Sequence, residues 1–407
     1  MTREYSWPEG HWNWPVPLRH KHGVRSGDMI FTGGQVDMDA QGQVRNPGDV
    51  TLQCDNAMAY LATVLQDLGT DLDDLVKLVV YFVGDASVEA GILHQIGAMI
   101  GQEAKPAIST IPMPELCYPG LAIEIEGIAM RSQSGGRMTR RCFRPDNMPL
   151  LPPAFSHAIH CGDMIFTSDI SAVSPEGNIE AVGDIVEQTR RMMDRLCSLL
   201  SAIGADAQDV LKLNAFYVGD GTAEDWATSA RIRAGYFPDP GPAATGIPVR
   251  EFAQPGLMTK IAVTAMRGTN GEHLEKHYAW PKGHWDWTTP LPYKHGNLCG
   301  KMIHLGGQVS LDSSANVVDP DDMPAQTRRA MDNIAKVLAE LGASLDDVVK
   351  VTTFYQGSAS AEALHENLLI RSNSYREPGP ATTGIPVPAL VYAQMVIEIE
   401  VIAMLEA

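Results

Sequence analysis

Two glutamates at matching places in a repeated sequence are the first residues able to do chemistry. Glu124 lies in IEIEGIA (Ile123–Ala129) and Glu398 in IEIEVIA (Ile397–Ala403). A carboxylate half-buried in a cleft can act as general base on water. The strand period of two puts Glu126 and Glu400 on the same sheet face, so solvated strand residues are the competing reading. Histidine also recurs at one matched position, as His22, His157 and His295. With a pKa near 6.5 such a ring can shuttle a proton, or it can keep a structural hydrogen bond.

A second constellation is aromatic. YSWPEGHWNWPVPLRHKHG (Tyr5–Gly23) and YAWPKGHWDWTTPLPYKHG (Tyr278–Gly296) are near-duplicates that hold six of the 7 tryptophans. Either these rings cover a sheet end, or they form an aromatic wall over a cleft for a planar ligand. In the second case the wall comprises His11, Trp12 and Trp14, with His284, Trp285 and Trp287 as its counterpart. Asn13 and Asp286 differ, so the two walls are not chemically identical. Lys21 and Lys294 stand in the same segments and could grip an anionic group.

The elements that must position these residues come in three copies. GDMIFTGGQV (Gly27–Val36) returns as GDMIFTSDIS (Gly162–Ser171) and GKMIHLGGQV (Gly300–Val309). PAISTIPM from Pro106 returns as PAATGIPV from Pro242 and PATTGIPV from Pro380. The period is too long for a solenoid, so each copy is a small domain. In the first copy the pattern predicts a strand at Met29–Val36 and a long helix around Asp49–Leu68. A strand over Leu75–Val83 and a shorter helix near Ser87–Gly101 follow, then strands from Ala107 and from Leu121 to Arg131. Gly69, Gly204 and Gly342 sit where helix C-terminal glycines belong. Each unit is thus α+β, a sheet with two helices on one face. The polar segments Arg131–Arg137 and Arg267–His273 read as linkers, giving domains 1–135, 136–270 and 271–407. Three fused copies suggest a pseudo-trimeric ring, as a monomer or as part of a further homo-oligomer.

Bulk properties narrow the partners. The net charge of −18 repels phosphate backbones, and no Lys/Arg cluster offsets it, so no nucleic-acid partner is expected. No run of about 18 apolar residues is present and the first residues lack a signal-peptide core, so no membrane contact and a cytoplasmic location are expected. The 6 cysteines form no CxxC or CxH pair, and neither a metal nor another cofactor is expected.

The copies resemble the Rid family (YjgF type, reactive-intermediate deaminases). The match rests on the G-D-M-I-F-T strand, QTRRAMDNI at Gln326–Ile334, GASLDDVVK at Gly342–Lys350, the P-A segment and the closing I-E-I-E strand. The resemblance implies three tandem Rid-like, chorismate-mutase-like domains with ligand clefts between them. It also implies an arginine directly after the P-A pair to hold a substrate carboxylate. Ile108, Ala244 and Thr382 stand there instead. The family glutamate maps to Glu124 and Glu398, with Lys260 in the second copy. The family serine survives as Ser168, against Gly33 and Gly306, and the entry-strand aromatic maps to His20, Phe155 and Tyr293.

These features predict a hydrolase of the deaminase or amidohydrolase type. Its substrate would be a planar imine, enamine or amide, with glutamate as base, histidine as acid and backbone N–H groups near Pro106, Pro242 or Pro380 aiding. The missing arginine implies a substrate without a carboxylate there, or one held by Lys21, Lys294 or Lys260. The alternatives are a non-catalytic ligand-binding or scaffold protein and, against the acidic charge, a ribonuclease.

Overall fold

The computed structural model describes residues 3–101, 103–357, 359 and 361–406. The first copy runs β1 (Glu4–Ser6), β2 (Gly23–Ser26), β3 (Met29–Thr32), α1 (Val50–Asp67), β4 (Leu75–Phe82), α2 (Ala86–Met99), β5 (Ala107–Pro112) and β6 (Ile123–Met130). The second runs β7 (Arg140–Phe143), β8 (Ala158–Cys161), β9 (Met164–Thr167), β10 (Ile170–Ser171), α3 (Ile185–Ile203), β11 (Val210–Val218), α4 (Ala223–Ala234), β12 (Ala243–Val249) and β13 (Thr259–Met266). The third runs β14 (Lys276–Ala279), β15 (Gly296–Cys299), β16 (Met302–Leu305), α5 (Met323–Glu340), β17 (Val348–Gln356), α6 (Glu362–Asn373), β18 (Ala381–Val387) and β19 (Ile397–Met404).

Each copy builds its own mixed sheet, ordered β1-β2-β3-β6-β4-β5 in the first and equivalently in the others. Only the last pair of each is parallel, for example Lys77 opposite Ala107. The long helices start at Asp49, Asp184 and Asp322, whose carboxylates accept an N–H of the first turn. α3 buries Met192, Met193, Leu196, Leu199, Leu200 and Ile203 on one stripe, the period expected of a helix lying on a sheet.

The ring closes by the same contacts three times. The N–H of Asp169 donates to Ile108 O, that of Gly307 to Ala244 O, and that of Gly34 to Thr382 O, each at 3.1 Å. The third copy therefore bonds back to the first. Lys77, Lys212 and Lys350 each reach across a seam to a carbonyl of the next copy, at Thr167, Leu305 and Thr32. Tyr81, Phe216 and Phe354, at one matched position, meet near the axis as edge-on rings with Phe354 contacting both others.

Two expectations need correction. The strand expected over Met29–Val36 stops at Thr32, because the Gly33 N–H turns to His22 O and that of Gly34 to Thr382 O of the neighbouring copy before Gln35 rejoins the sheet at Ile125. The linkers are not free spacers. Arg131 and Arg137 clamp Asp71, Asp73 and Asp74, and Arg267 with His273 clamps Asp209. Their guanidinium groups neutralise the carboxylates that cap the turn before β4 and β11. No helix among the described residues is long and apolar enough to cross a membrane.

Candidate active site

The three seams are built alike and filled differently. Between the second and third copies lies a cavity of about 50 Å³ lined by Trp285, Trp287, Tyr293 and Glu398 from one side and by Trp226 and Arg233 from the other. Between the third and first copies the equivalent space is about 20 Å³, lined by Trp12, Trp14, Cys117, Tyr118 and Glu124 with Leu364 and Leu368. The seam between the first and second copies is closed by charge. There Lys260 meets Glu89 at 3.2 Å and Asp169 at 3.9 Å, and donates to Thr110 O. Burial alone would push its ammonium down, but the two carboxylates outweigh that and hold it above the ordinary lysine range.

Glu124 and Glu398 are both buried where strands β6 and β19 pass the cleft floor. Desolvation, then the neighbouring Glu126 or Glu400, pushes each up to about 8, only partly offset by Lys350 or Lys212. At neutral pH both carry a proton. The room they occupy is created by glycine: a Cβ on Gly34 or Gly307 would lie 1.7 Å from the glutamate oxygen. The second copy confirms the coupling, with a side chain (Asp169) and a lysine (Lys260) replacing the glycine and glutamate together. Gly307→Ala is accordingly expected to leave the fold intact, since only the end of a flexible side chain must move. It should displace Glu398, and any turnover that uses this glutamate should fall about tenfold, roughly the effect of losing about 1.4 kcal/mol. Steady-state rates alongside urea melts would check both halves.

Two of the seams hold an arginine that comes from another element, not from the position after the P-A pair. Nine residues before Pro106, Pro242 and Pro380 stand Gly97, Arg233 and Arg371. Arg371 donates through Nε to Asn367 and through Nη1 to Thr382, the residue occupying the family arginine's place, while its Nη2 has no partner. Burial lowers it to about 10, so it stays charged near neutrality. Arg233 bonds Ser229 and leaves Nε unpaired. At the first seam Gly97 cannot be enlarged freely, because a Cβ would sit 3.1 Å from Ala154 and 3.8 Å from the Phe155 ring. Phe155 thus faces the position where Tyr293 and His20 face arginines in the other seams. Tyr217 and Tyr355, buried near both arginine and glutamate, are matched in the first copy by Phe82. Arginine, tyrosine and glutamate are present together or absent together.

The remaining candidates take other places. Trp12, Trp14, Trp285 and Trp287 form cleft walls. His22 and His295 lie behind them, stacked on Trp14 and Trp287 at interplanar angles of 8° and 11° and bonded to the carbonyls of Trp12 and Trp285. Desolvation carries His22 well below 6.5 and His295 to about 3, so neither can be the acid. The proton affinities run opposite to those roles: the glutamates are raised and the histidines lowered. His11 and His284 bond Gln35 and Gln308 at 2.8 and 2.9 Å and position the wall instead of reaching the cavity. His157 bonds Pro149 O. Lys21 and Lys294 pair with Glu377 and Asp239 beneath Trp7 and Trp280, outside the clefts. Ser168 takes the Ile108 N–H and donates to Ser156 O, at the seam that carries Lys260 in place of a glutamate, so that N–H is already bonded. Glu126 and Glu400 are not solvated; they pair with Lys350 and Lys212 at 2.6 and 2.8 Å. Among the described residues one group could hold a metal, Asp206, Asp209 and His273, and Arg267 already lies against Asp209 at 2.8 Å. All six cysteines are free thiols.

Comparison with known proteins agrees with this architecture. A RutC family protein of Pyrococcus abyssi is 33% identical over 112 residues, spanning 28% of this chain and 85% of that protein. A counterpart from Pyrococcus horikoshii is 30% identical over the same length, spanning 28% and 86%. The crystal structure of a chorismatase superposes with a TM-score of 0.57 at 12% identity, covering 81% of this chain and 93% of that one, and so shares the fold. The family described as Endoribonuclease L-PSP matches at residues 16–131, 149–267 and 288–405. The chain therefore belongs to that family, the Rid/YjgF family, as three tandem copies.

Proposed function

We propose that the protein is a C–N-cleaving hydrolase acting on a small planar enamine or imine that carries a carboxylate, and that the cleft between the second and third copies is its working site. One observation carries the reading. A protonated, buried Glu398 shares an aromatic cleft with Arg233, and both Arg233 Nε and Trp285 Nε1 lack partners. Buried donors without acceptors favour an anionic ligand, because unpaired polar groups are costly.

In this scheme Arg233 holds the carboxylate. Glu398 gives its proton to the enamine carbon, and the nitrogen lone pair becomes the C=N bond of an iminium. Water then adds to the C=N carbon, the neighbour of the one just protonated, while Glu398 takes back a proton, leaving a carbinolamine. Protonated in turn at nitrogen by Glu398, the carbinolamine loses ammonia, and the hydroxyl proton returns to the glutamate as the carbonyl forms. The net reaction is enamine plus water to ketone plus ammonia. The tryptophan walls exclude bulk water, which keeps the carboxyl neutral between cycles.

The test is ammonia release from enamine carboxylates generated in solution. Arg233→Met is expected to raise KM roughly 10–100-fold, the worth of about 1.5–3 kcal/mol for a hydrogen bond to a charged group. Amide analogues of the same substrates should lose less. Unchanged KM would remove Arg233 from the site. The narrower cleft at Glu124 favours a second reading for that seam, a ligand held without turnover. Saturable binding surviving Glu398→Gln and abolished by Glu124→Gln would show it.

A further inference from the structure

On the ring axis lies a third cavity, of about 100 Å³, which the cleft chemistry does not use. Its charged lining comes from the matched lysines Lys77, Lys212 and Lys350 with Glu126 and Glu400, beside polar groups that include Asn214 and His304. Lys350 pairs with Glu126 of the next copy, and Lys212 pairs with Glu400 of the next copy. By the same rotation Lys77 should meet residue 262, but that residue is Ala262, which also lines the cavity. Lys77 is 8% exposed and donates to Ser109 Oγ and Thr167 O, each at 2.7 Å. No carboxylate among the described residues hydrogen-bonds to it. The cavity therefore holds three ammonium positions against two carboxylates.

We propose that the axial cavity binds a small monocarboxylate, the size of acetate or propionate, between Lys77 and Ala262. The argument is one of shape and charge together. At the other two seams a glutamate side chain projects from the strand to its lysine. Replacing it by alanine removes one methylene and a carboxylate, and a short fatty acid restores both. Ser109 and Thr167 bind two of the lysine's protons, so the third is left for the ligand, as Glu126 and Glu400 take it elsewhere. Desolvation pulls Lys77 down to about 8, only partly offset by the more distant charges of Asp169 and Glu126, so a carboxylate in direct contact would be favourable. An entering carboxylate both neutralises it and fills space.

Calorimetric titration of the full chain with acetate and propionate at constant ionic strength tests this. Saturable binding of one carboxylate is expected, retained in the Arg233→Met variant and weakened at least tenfold by Ala262→Glu, which restores the third pair covalently. Lys77→Met should weaken it as much. If Ala262→Glu does not fold, Ala262→Met fills the same volume without charge and must also abolish binding. Absence of saturable binding overturns the proposal, as does binding indifferent to residue 262. Chloride competing with equal affinity would overturn the assignment to a carboxylate. Loss of binding in Arg233→Met alone would place the ligand in the cleft instead, and that outcome leaves the enamine reading standing.

Discussion

Glu398→Gln is expected to lower turnover about 10²–10⁴-fold, the usual contribution of a positioned proton donor. Glutamine keeps the shape and the hydrogen-bonding capacity but cannot give up a proton. Glu124→Gln should cost much less, because its cavity is about 20 Å³ against about 50 Å³ and Leu364 stands where the other cleft has Trp226. Equal losses, or trivial ones at both sites, would defeat the assignment of the working cleft.

The pH dependence carries the same signature with a definite sign. The active form is the protonated carboxyl, raised to about 8, so kcat/KM should be flat below that value and fall about tenfold per pH unit above it. A carboxylate acting as base would give the opposite limb. Stability should follow the proton too. Each raised carboxyl contributes stability that is fully present below its ordinary value of 4.5 and is lost as pH rises through about 8. Melting curves of Glu398→Gln should therefore decline less between those limits than those of the parent chain. This readout needs no substrate.

Much of this site is legible in the sequence itself. The strands, the helices and the glutamates announce themselves because period and repetition both report them. The tryptophan walls were visible as a duplicated segment, though not which rings line a cavity and which, like Trp7 and Trp280, stack under lysines. Arg233 and Arg371 do not stand out in the sequence because an arginine late in a helix looks like a solvated face residue. Its burial depends on the neighbouring copy. Comparing Gly97 with the two arginines, and Phe82 with Tyr217 and Tyr355, was the available signal. Protonation was not legible at all. A glutamate in a strand reads as a carboxylate, and only the depth of the cleft and the adjacent Glu126 or Glu400 turn it into an acid. Histidine failed in the reverse sense, since the rings that cover the clefts also dehydrate His22 and His295.

Lys260→Met should be the most damaging single change to stability, at about 3 kcal/mol, the lower end of what removing one member of a buried ion pair costs. The lysine stands at the glutamate position of the second copy and neutralises Glu89 from the first copy and Asp169 from its own. Methionine fills the volume but leaves two carboxylates facing one another across a seam. Thr110 still donates to both, through its hydroxyl to Glu89 and its N–H to Asp169, which limits the loss. The sign with pH separates lost charge from lost packing. Without the lysine the two carboxylates repel each other while both are charged, so the variant should recover stability as pH falls towards 5 and lose it above 7. Urea midpoints at the two pH values would show it, and Glu89→Gln should rescue Lys260→Met in part. A packing defect would be independent of pH and indifferent to Glu89. Because Glu398 and Arg233 lie in another cleft, activity per folded molecule should be unchanged. That outcome would assign the first seam to holding the ring shut, and leave the chemistry to a cleft where arginine, tyrosine and glutamate survive together.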